Sequence, residues 1–353
     1  SDTLVNLEIV GIERSPHVIK GGLHYDGYYG IGIIANYTGR NIIGDASRTL
    51  ITVDIAEQPK ARVQYQKNFG NKRDWWWRSE FYGQLLKQKV FLKGEYVENV
   101  RSRYHYFDNQ VNKNITPTRS YIGMGLKYHK TNVKPSIKSN LQENLFKFNH
   151  YNNYDIELYV QYNYNSMNHV LFATRGTILK GFLGRSLYSN LNLDFSDQSI
   201  PNFNGETNEF TRMGVDYEKR FHTTKKSVAI IEMSGHFTIE DAKKPDELSF
   251  TDFALNSKYY LGGNIDGPRN EYYVFPGMKE AELGLTQFMK LNVGLQINAA
   301  KNIYITPHVA MASVGFGSFN DYIKDAFAPG GKWTDLANPS LLITAGTTFS
   351  YTS

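Results

Sequence analysis

The residues of this chain that could do chemistry are charged side chains set among aromatics. The segment Tyr259 to Glu280, YYLGGNIDGPRNEYYVFPGMKE, places one arginine, Arg269, between tyrosines and Phe275, with glycines at Gly262, Gly263, Gly267 and Gly277 and two prolines to shape the backbone. A guanidinium is always charged and forks onto carboxylates, so an arginine held inside a protein by acids and tyrosines would pin such a loop in place. A surface loop with a solvated arginine fits the same residues, and both readings stand. Elsewhere Arg101, Arg103 and His105 recur at every second position, as do Glu232, His236 and Glu240 at every fourth. Either set can form salt bridges across a polar interior, or a lining that balances its own charge.

Group-transfer chemistry finds no footing here. There is no G-x-S-x-G elbow, no H-E-x-x-H, no phosphate-cradling G-x-x-x-x-G-K, and the nine histidines show no ligand spacing at four-residue intervals. Cysteine is absent, which removes disulfides, thiolate metal sites and thiol nucleophiles. We therefore expect no catalytic residue, no metal and no cofactor, and no enzyme activity in this chain by itself. The net charge of +5 is dispersed along the sequence, so nucleic acid is not an expected partner.

What must position these groups is β-structure. In Tyr154 to Ser166, YDIELYVQYNYNS, the residues Tyr154, Ile156, Leu158, Val160, Tyr162 and Tyr164 fall on one side, and Asp155, Glu157, Tyr159, Gln161, Asn163 and Asn165 on the other. That is a strand with an apolar face ending in tyrosines, long enough to cross a bilayer at a tilt. The pattern repeats in about fourteen segments, among them Ser120 to His129, where Ile122, Met124, Leu126 and Tyr128 oppose Tyr121, Gly123, Gly125 and Lys127. Aromatic residues make up 14% of the 353 residues, yet mean hydropathy is −0.45 and no run of about 18 apolar residues occurs. An all-β, antiparallel transmembrane barrel reconciles these facts, because half of every spanning strand faces a polar interior. A large soluble β-sandwich is the alternative, with its apolar faces turned on each other.

Connections alternate between tight turns, such as 300–302, and long polar loops, such as 132–153. The longest interruption, about 241–287, is expected to be functional. Trp75, Trp76 and Trp77 put two indoles on one face and one on the other. They are expected to anchor at the membrane interface, as are Tyr162 and Tyr164. The groups Arg101, Arg103, His105, Glu232, His236 and Glu240 are expected on lumen faces. Residues 1–20, with a short strand at Leu4 to Gly11, read as a periplasmic remnant or linker, and 21–353 as the barrel.

At two places the chain resembles the BamA/TamA superfamily of outer-membrane assembly and secretion barrels, and within it the barrel of patatin-like phospholipases of the PlpD type. Leu23 to Ile55, LHYDGYYGIGIIANYTGRNIIGDASRTLITVDI, is similar to the family's first strands, with an Arg40-Asn41 turn and a bend at Gly44. The YYLGG...FPG stretch occupies the place of the inward-folded sixth extracellular loop. The family's Arg-Gly-aromatic tip is replaced, since Asn270 follows Arg269, and Ala310 in HVAMASVGFG stands where the aspartate that receives the arginine is expected. The terminal LLITAGTTFSYTS resembles the strand that precedes the family's closing hairpin, so the resemblance implies two further strands, sixteen in all, and an upstream periplasmic module or lipase domain in the native protein. It also implies residence in the bacterial outer membrane and a role in inserting or translocating polypeptides. Its implied partners are outer-membrane lipids and a client or passenger polypeptide, with accessory proteins or further copies of the chain as additional candidates. The competing reading is a passive channel for small solutes.

Overall fold

The computed structural model describes residues 15–26, 30–92, 95–135, 148–195, 198–199, 201–242, 244, 258–263, 271–278, 282–326 and 340–351. Alternating sequence becomes one antiparallel wall. It starts with β1 (His17–Asp26), β2 (Gly30–Arg40), β3 (Ser47–Ile55) and β4 (Lys60–Phe69). Taller strands follow: β5 (Trp75–Leu92), β6 (Glu95–Thr116), β7 (Ser120–Pro135), β8 (Phe148–Asn165) and β9 (Gly176–Phe195). After the short β10 (Phe203–Glu206) come β11 (Phe210–Thr224) and β12 (Ser227–Glu240). Three short strands, β13 (Tyr259–Gly262), β14 (Tyr272–Val274) and β15 (Leu283–Leu285), precede β16 (Gln287–Ala300), β17 (Ile303–Gly315), helix α1 (Phe319–Asp325) and β18 (Ser340–Tyr351). Each long strand pairs with the next in chain order, β10 adds to β9 alone, and β1 and β18 are the two ends of the sheet. The strands β14, β13 and β15 form a separate small sheet.

The wall is inside-out compared with a soluble protein. On β8 the inward Asn153, Asp155 and Glu157 are fully buried, while the outward Leu158 and Val160 are 40% and 46% exposed. The same holds on β7, where outward Ile122, Met124 and Leu126 are exposed and inward Lys127, His129 and Thr131 are buried. A sandwich would have buried these apolar faces; here they meet lipid, and ladder pairing satisfies the backbone that lipid cannot. On β5 the outward apolar positions run from Trp75 to Leu85, ten residue steps. At about 3.3 Å per step and a tilt of about 40°, that band is ~25 Å tall, the height of an outer-membrane hydrocarbon layer.

The two rims differ. At one rim the turns are tight and place Asn41, Ala46, Arg73, Thr118 and Asn302 at positive φ. At the other rim lie the strand ends joined by the longer stretches of sequence, those between β7 and β8, β9 and β11, β12 and β16, and β17 and β18. Long loops mark the extracellular rim.

The structure corrects several sequence expectations. β1 begins at His17, so residues 17–20 belong to the wall and not to a linker; the strand expected at Leu4 to Gly11 lies outside the described residues. Arg101 and Arg103 point outward and are exposed, alternating with buried Ser102 and Tyr104, and His105 shares their face. Their expected lumen placement fails because the inward register of β6 is taken by Ser102, Tyr104 and Tyr106, and because the tall β6 carries its outward face beyond the apolar band. Trp76 also departs from expectation: it turns inward, donating its indole N–H to Asn114 Oδ1 at 3.2 Å and packing edge-on against Tyr121. Trp75 and Trp77, each 38% exposed, keep the outward face.

Candidate functional site

Residues 241–286 connect β12 to β16 from the extracellular rim; Asp241 stays at the exposed rim, and the described part from residue 258 onward packs against the inner face of the wall. Tyr259, Leu261, Phe275, Leu283 and Leu285 form an apolar cluster with Phe288, Ala310, Ala312 and Val314 on the inner face of β16 and β17. Ala310, where the family resemblance leads one to expect an aspartate, thus contributes a small apolar surface to the loop's bed. β13 and β14 run parallel, with the Tyr260 N–H on the Glu271 carbonyl at 2.8 Å and the Phe275 N–H on the Gly262 carbonyl at 2.7 Å. That short ladder sets the direction in which the side chains of Glu271 and Tyr273 project.

Glu271 projects into a cluster of buried charge. Its Oε1 accepts from Lys127 Nζ at 3.2 Å and lies 3.6 Å from Arg212 Nη1. Arg212 forks in turn onto Glu157, with Nε to Oε1 at 2.8 Å and Nη2 to Oε2 closer still. His129 Nε2 stands 3.7 Å from the same carboxylate. Lys127 also lies over the Tyr106 ring and Arg212 over Phe182. Two cations and two carboxylates from β7, β8, β11 and the loop therefore neutralise one another in a space where none is more than a tenth exposed. Gly184 makes room for the pair, since a Cβ there would collide with the Glu157 carboxylate.

A second prong holds the loop against β12. Tyr273 Oη lies 3.2 Å from His236 Nδ1, and His236 Nε2 lies 3.0 Å from Asp216 Oδ1. A hydroxyl donating to Nδ1 with Nε2–H donating to Asp216 satisfies both ring nitrogens. Phe288 stacks on the imidazole and Tyr259 packs beside it.

The segment Glu271–Pro276 lines two cavities. One, of about 330 Å³, is bounded by Glu271 and Tyr273 with Arg78, Asp108, Lys180 and Asp216. The other, of about 740 Å³, is bounded by Val274 and Pro276 with Glu232, Arg220, Lys290 and Asn292. The Asn292 amide donates to Glu232 at 2.9 Å. At the tight-turn rim of the larger cavity, residues 166–175 reach across the interior, and Phe172 stacks on Tyr304 of β17 with ring centroids 4.2 Å apart.

Of the residues singled out from sequence, Gly262, Phe275 and His236 meet in the loop and its bed. Gly263 follows β13, Gly277 adopts φ +86° at an exposed turn beside Thr344, and Glu232 sits apart in the larger cavity. Glu240 shares the inward register with Phe210, Tyr162 and Tyr164 lie on the outward face of β8, and Arg269 lies outside the described residues. Lys127, Glu157, Arg212 and Glu271 were not singled out. The available signal was a charge at an inward position beside glycine or an aromatic, as in Gly125-Leu126-Lys127 and Phe210-Thr211-Arg212. No group of metal-ligating side chains occurs among the described residues.

An antiparallel wall that is apolar outside and charged inside, with a long loop ion-paired to its inner face, defines an outer-membrane β-barrel of bacteria. The chain belongs to the OMP85 superfamily, whose sequence model matches residues 6–326. Its fold is similar to BamA from Haemophilus ducreyi lacking POTRA domains 1-3, at 14% identity and TM-score 0.65, over 97% of this chain and 65% of that one. It is also similar to CdiB from Escherichia coli, at 9% identity and TM-score 0.54, over 97% of this chain and 57% of that one. The chain thus spans less than two thirds of either. No curated protein matches it by sequence.

Proposed function

We propose that this barrel acts in the insertion or translocation of polypeptides at the outer membrane, and that it serves as the membrane anchor and export barrel of a patatin-like protein. Membership of the superfamily supports the first part, and the resemblance of Leu23 to Ile55 and of the loop to PlpD-type barrels supports the second. The observation that carries the reading is the Glu271 ion pair with Lys127. A passive channel needs an open lumen, whereas this interior is divided by a loop fixed through buried charge at one prong and a His236–Tyr273 contact at the other. Hydrolysis, in this reading, belongs to the passenger.

The test compares the full-length native protein with a form lacking residues 259–277. Passage of the passenger to the cell surface is followed by protease accessibility, and ion flow by planar-bilayer recording. Lost passage with small, erratic conductance in the intact protein supports the proposal. Unimpaired passage, or stable large single-channel steps from the intact protein, would favour a solute channel.

A further inference from the structure

The outward face of β5–β7 holds a second charged feature, on the other side of the wall from the lumen. Lys87, Arg101 and Lys134 are register partners on three adjacent strands, and so are His105 and Lys130 one level closer to the membrane, with Arg103 between the two rows. Neighbouring strands are about 4.8 Å apart, and like charges directly opposite one another repel. Lys87 is offset by Glu57, with Nζ 2.5 Å from Oε1. Among the described residues, Arg101, Arg103, Lys130 and Lys134 have no acidic partner. The contrast with Arg185 on β9 is direct, since that outward arginine is held by Glu209 at 2.6 Å and Asp241 at 2.5 Å.

The height of the patch says what would sit there. Immediately toward the membrane from the His105–Lys130 row, Phe81, Phe107 and Leu126 end the continuous apolar band, with Leu85 beyond it as the register partner of Arg103, and Tyr128, Tyr154 and Tyr188 form a row of tilted ring contacts along β7–β9. Tyrosine rows mark the level where acyl chains give way to headgroups. The cations begin at the next outward positions, on the rim that carries the long loops. This is the headgroup layer of the outer leaflet, where a side chain meets neither acyl chain nor bulk water.

We propose that this patch binds a phosphate-bearing lipid headgroup of the outer leaflet, with phosphate between Arg101, Arg103, Lys130 and Lys134. Guanidinium forks match phosphate oxygens in pairs, the lysines add point charge, and one bound phosphate relieves the cross-strand repulsion. The tyrosine row would pack against the glycolipid just below its phosphates.

The experiment uses native mass spectrometry of the full chain in detergent with bisphosphorylated lipid A, its dephosphorylated form, and inorganic phosphate as competitor. Folding of each variant is checked by heat-dependent gel mobility. We expect the wild type to retain the bisphosphorylated lipid at least about tenfold better than the dephosphorylated one. We also expect R101S/R103S/K130S/K134S to lose that preference and R101K/R103K to keep most of it. Lys113→Ser, an outward cation at the opposite rim, should change nothing. Equal retention of the two lipids, an unaffected quadruple variant, or full displacement by inorganic phosphate would each overturn the proposal. If the quadruple variant fails to fold, the comparison of the two lipids on wild type and R101K/R103K decides alone.

Discussion

Glu271 meets Lys127 across 144 positions of sequence, Oε1 to Nζ at 3.2 Å, with both side chains at most a tenth exposed. One residue belongs to a loop and the other to a spanning strand, so the contact ties the loop's position to the integrity of the wall. Charge is what makes the tie selective. An apolar bed alone, such as the one Ala310 and Val314 provide, would accept many loop conformations of similar energy, whereas a carboxylate between Lys127 and Arg212 is satisfied in very few.

Glu271→Gln should therefore release the loop. Removing one partner of a buried pair strands the others at a cost of about 3–5 kcal/mol, here reduced by whatever water the lumen admits. Faster protease cleavage between residues 241 and 286 and larger ion flow are expected. Lys127→Gln combined with Glu271→Gln restores neutrality and should recover more than half of the protection. Equal sensitivity of the single and double variants would show that the charge balance is immaterial.

Gly184→Ala tests the other end of the cluster. A Cβ at this position meets the Glu157 carboxylate, so Arg212 must lose its fork or β9 must move. The folded band in heat-dependent gel mobility should melt at lower temperature, and Gly181→Ala, whose Cβ would meet only ordinary contact with Tyr162, should not shift it.

The turn at residues 166–175 offers a separable prediction. Phe172 has φ +52°, a costly conformation for an aromatic residue, and gains a close stack on Tyr304. Tyr304→Ala removes that compensation and should raise conductance by opening the tight-turn rim, while leaving cleavage within 241–286 unchanged. Coupled changes in both readouts would mean that the two obstructions are not independent.

Acid should loosen the stem of the long loop. Asp241, just after β12, accepts hydrogen bonds from Arg185 that hold its carboxyl below the usual carboxylate range, against the smaller opposing effect of burial. A depressed acid contributes stability that is complete above its unfolded value near ~3.9 and lost as pH falls through the lower folded value. The protection of the Asp241 amide, bonded to the Glu209 carbonyl at 2.9 Å, measured by hydrogen exchange relative to the intrinsic rate at each pH, should be flat from neutrality to about pH 5 and fall below about pH 4. In Arg185→Ala that step should vanish.

The tryptophan run can be read by fluorescence. Acyl-brominated lipid should quench variants that keep only Trp75 or Trp77 of the four tryptophans, and spare one that keeps only Trp76, whose indole faces Asn114 in the interior. Strong quenching of Trp76 would reverse the register of β5.

Sequence alone determined the strands and the sidedness of most of them. The alternation in Ser120 to His129 and Tyr154 to Ser166 has a period of two, which is a local property of the extended chain, and it separates an apolar half from a half that carries Asp155 and Glu157, with lipid or a second sheet as the two places the apolar half can go. Local pattern also located the loop, because YYLGGNIDGPRNEYYVFPGMKE has no alternation to offer the wall. Only the tertiary structure decided which charges meet. Arg101, Arg103 and His105 share a face as clearly as Glu232 and His236 do, yet the first set lies outside and the second inside, because a face is assigned by its height relative to the membrane and by its neighbours on adjacent strands. Lys127, Glu157, Arg212 and Glu271 come from three strands and a loop. Each alone is an unremarked charge in an alternating segment. Their pairing depends on how the wall curves and how far the loop descends, and these are fixed by the summed register of many ladders, which no single stretch of sequence contains.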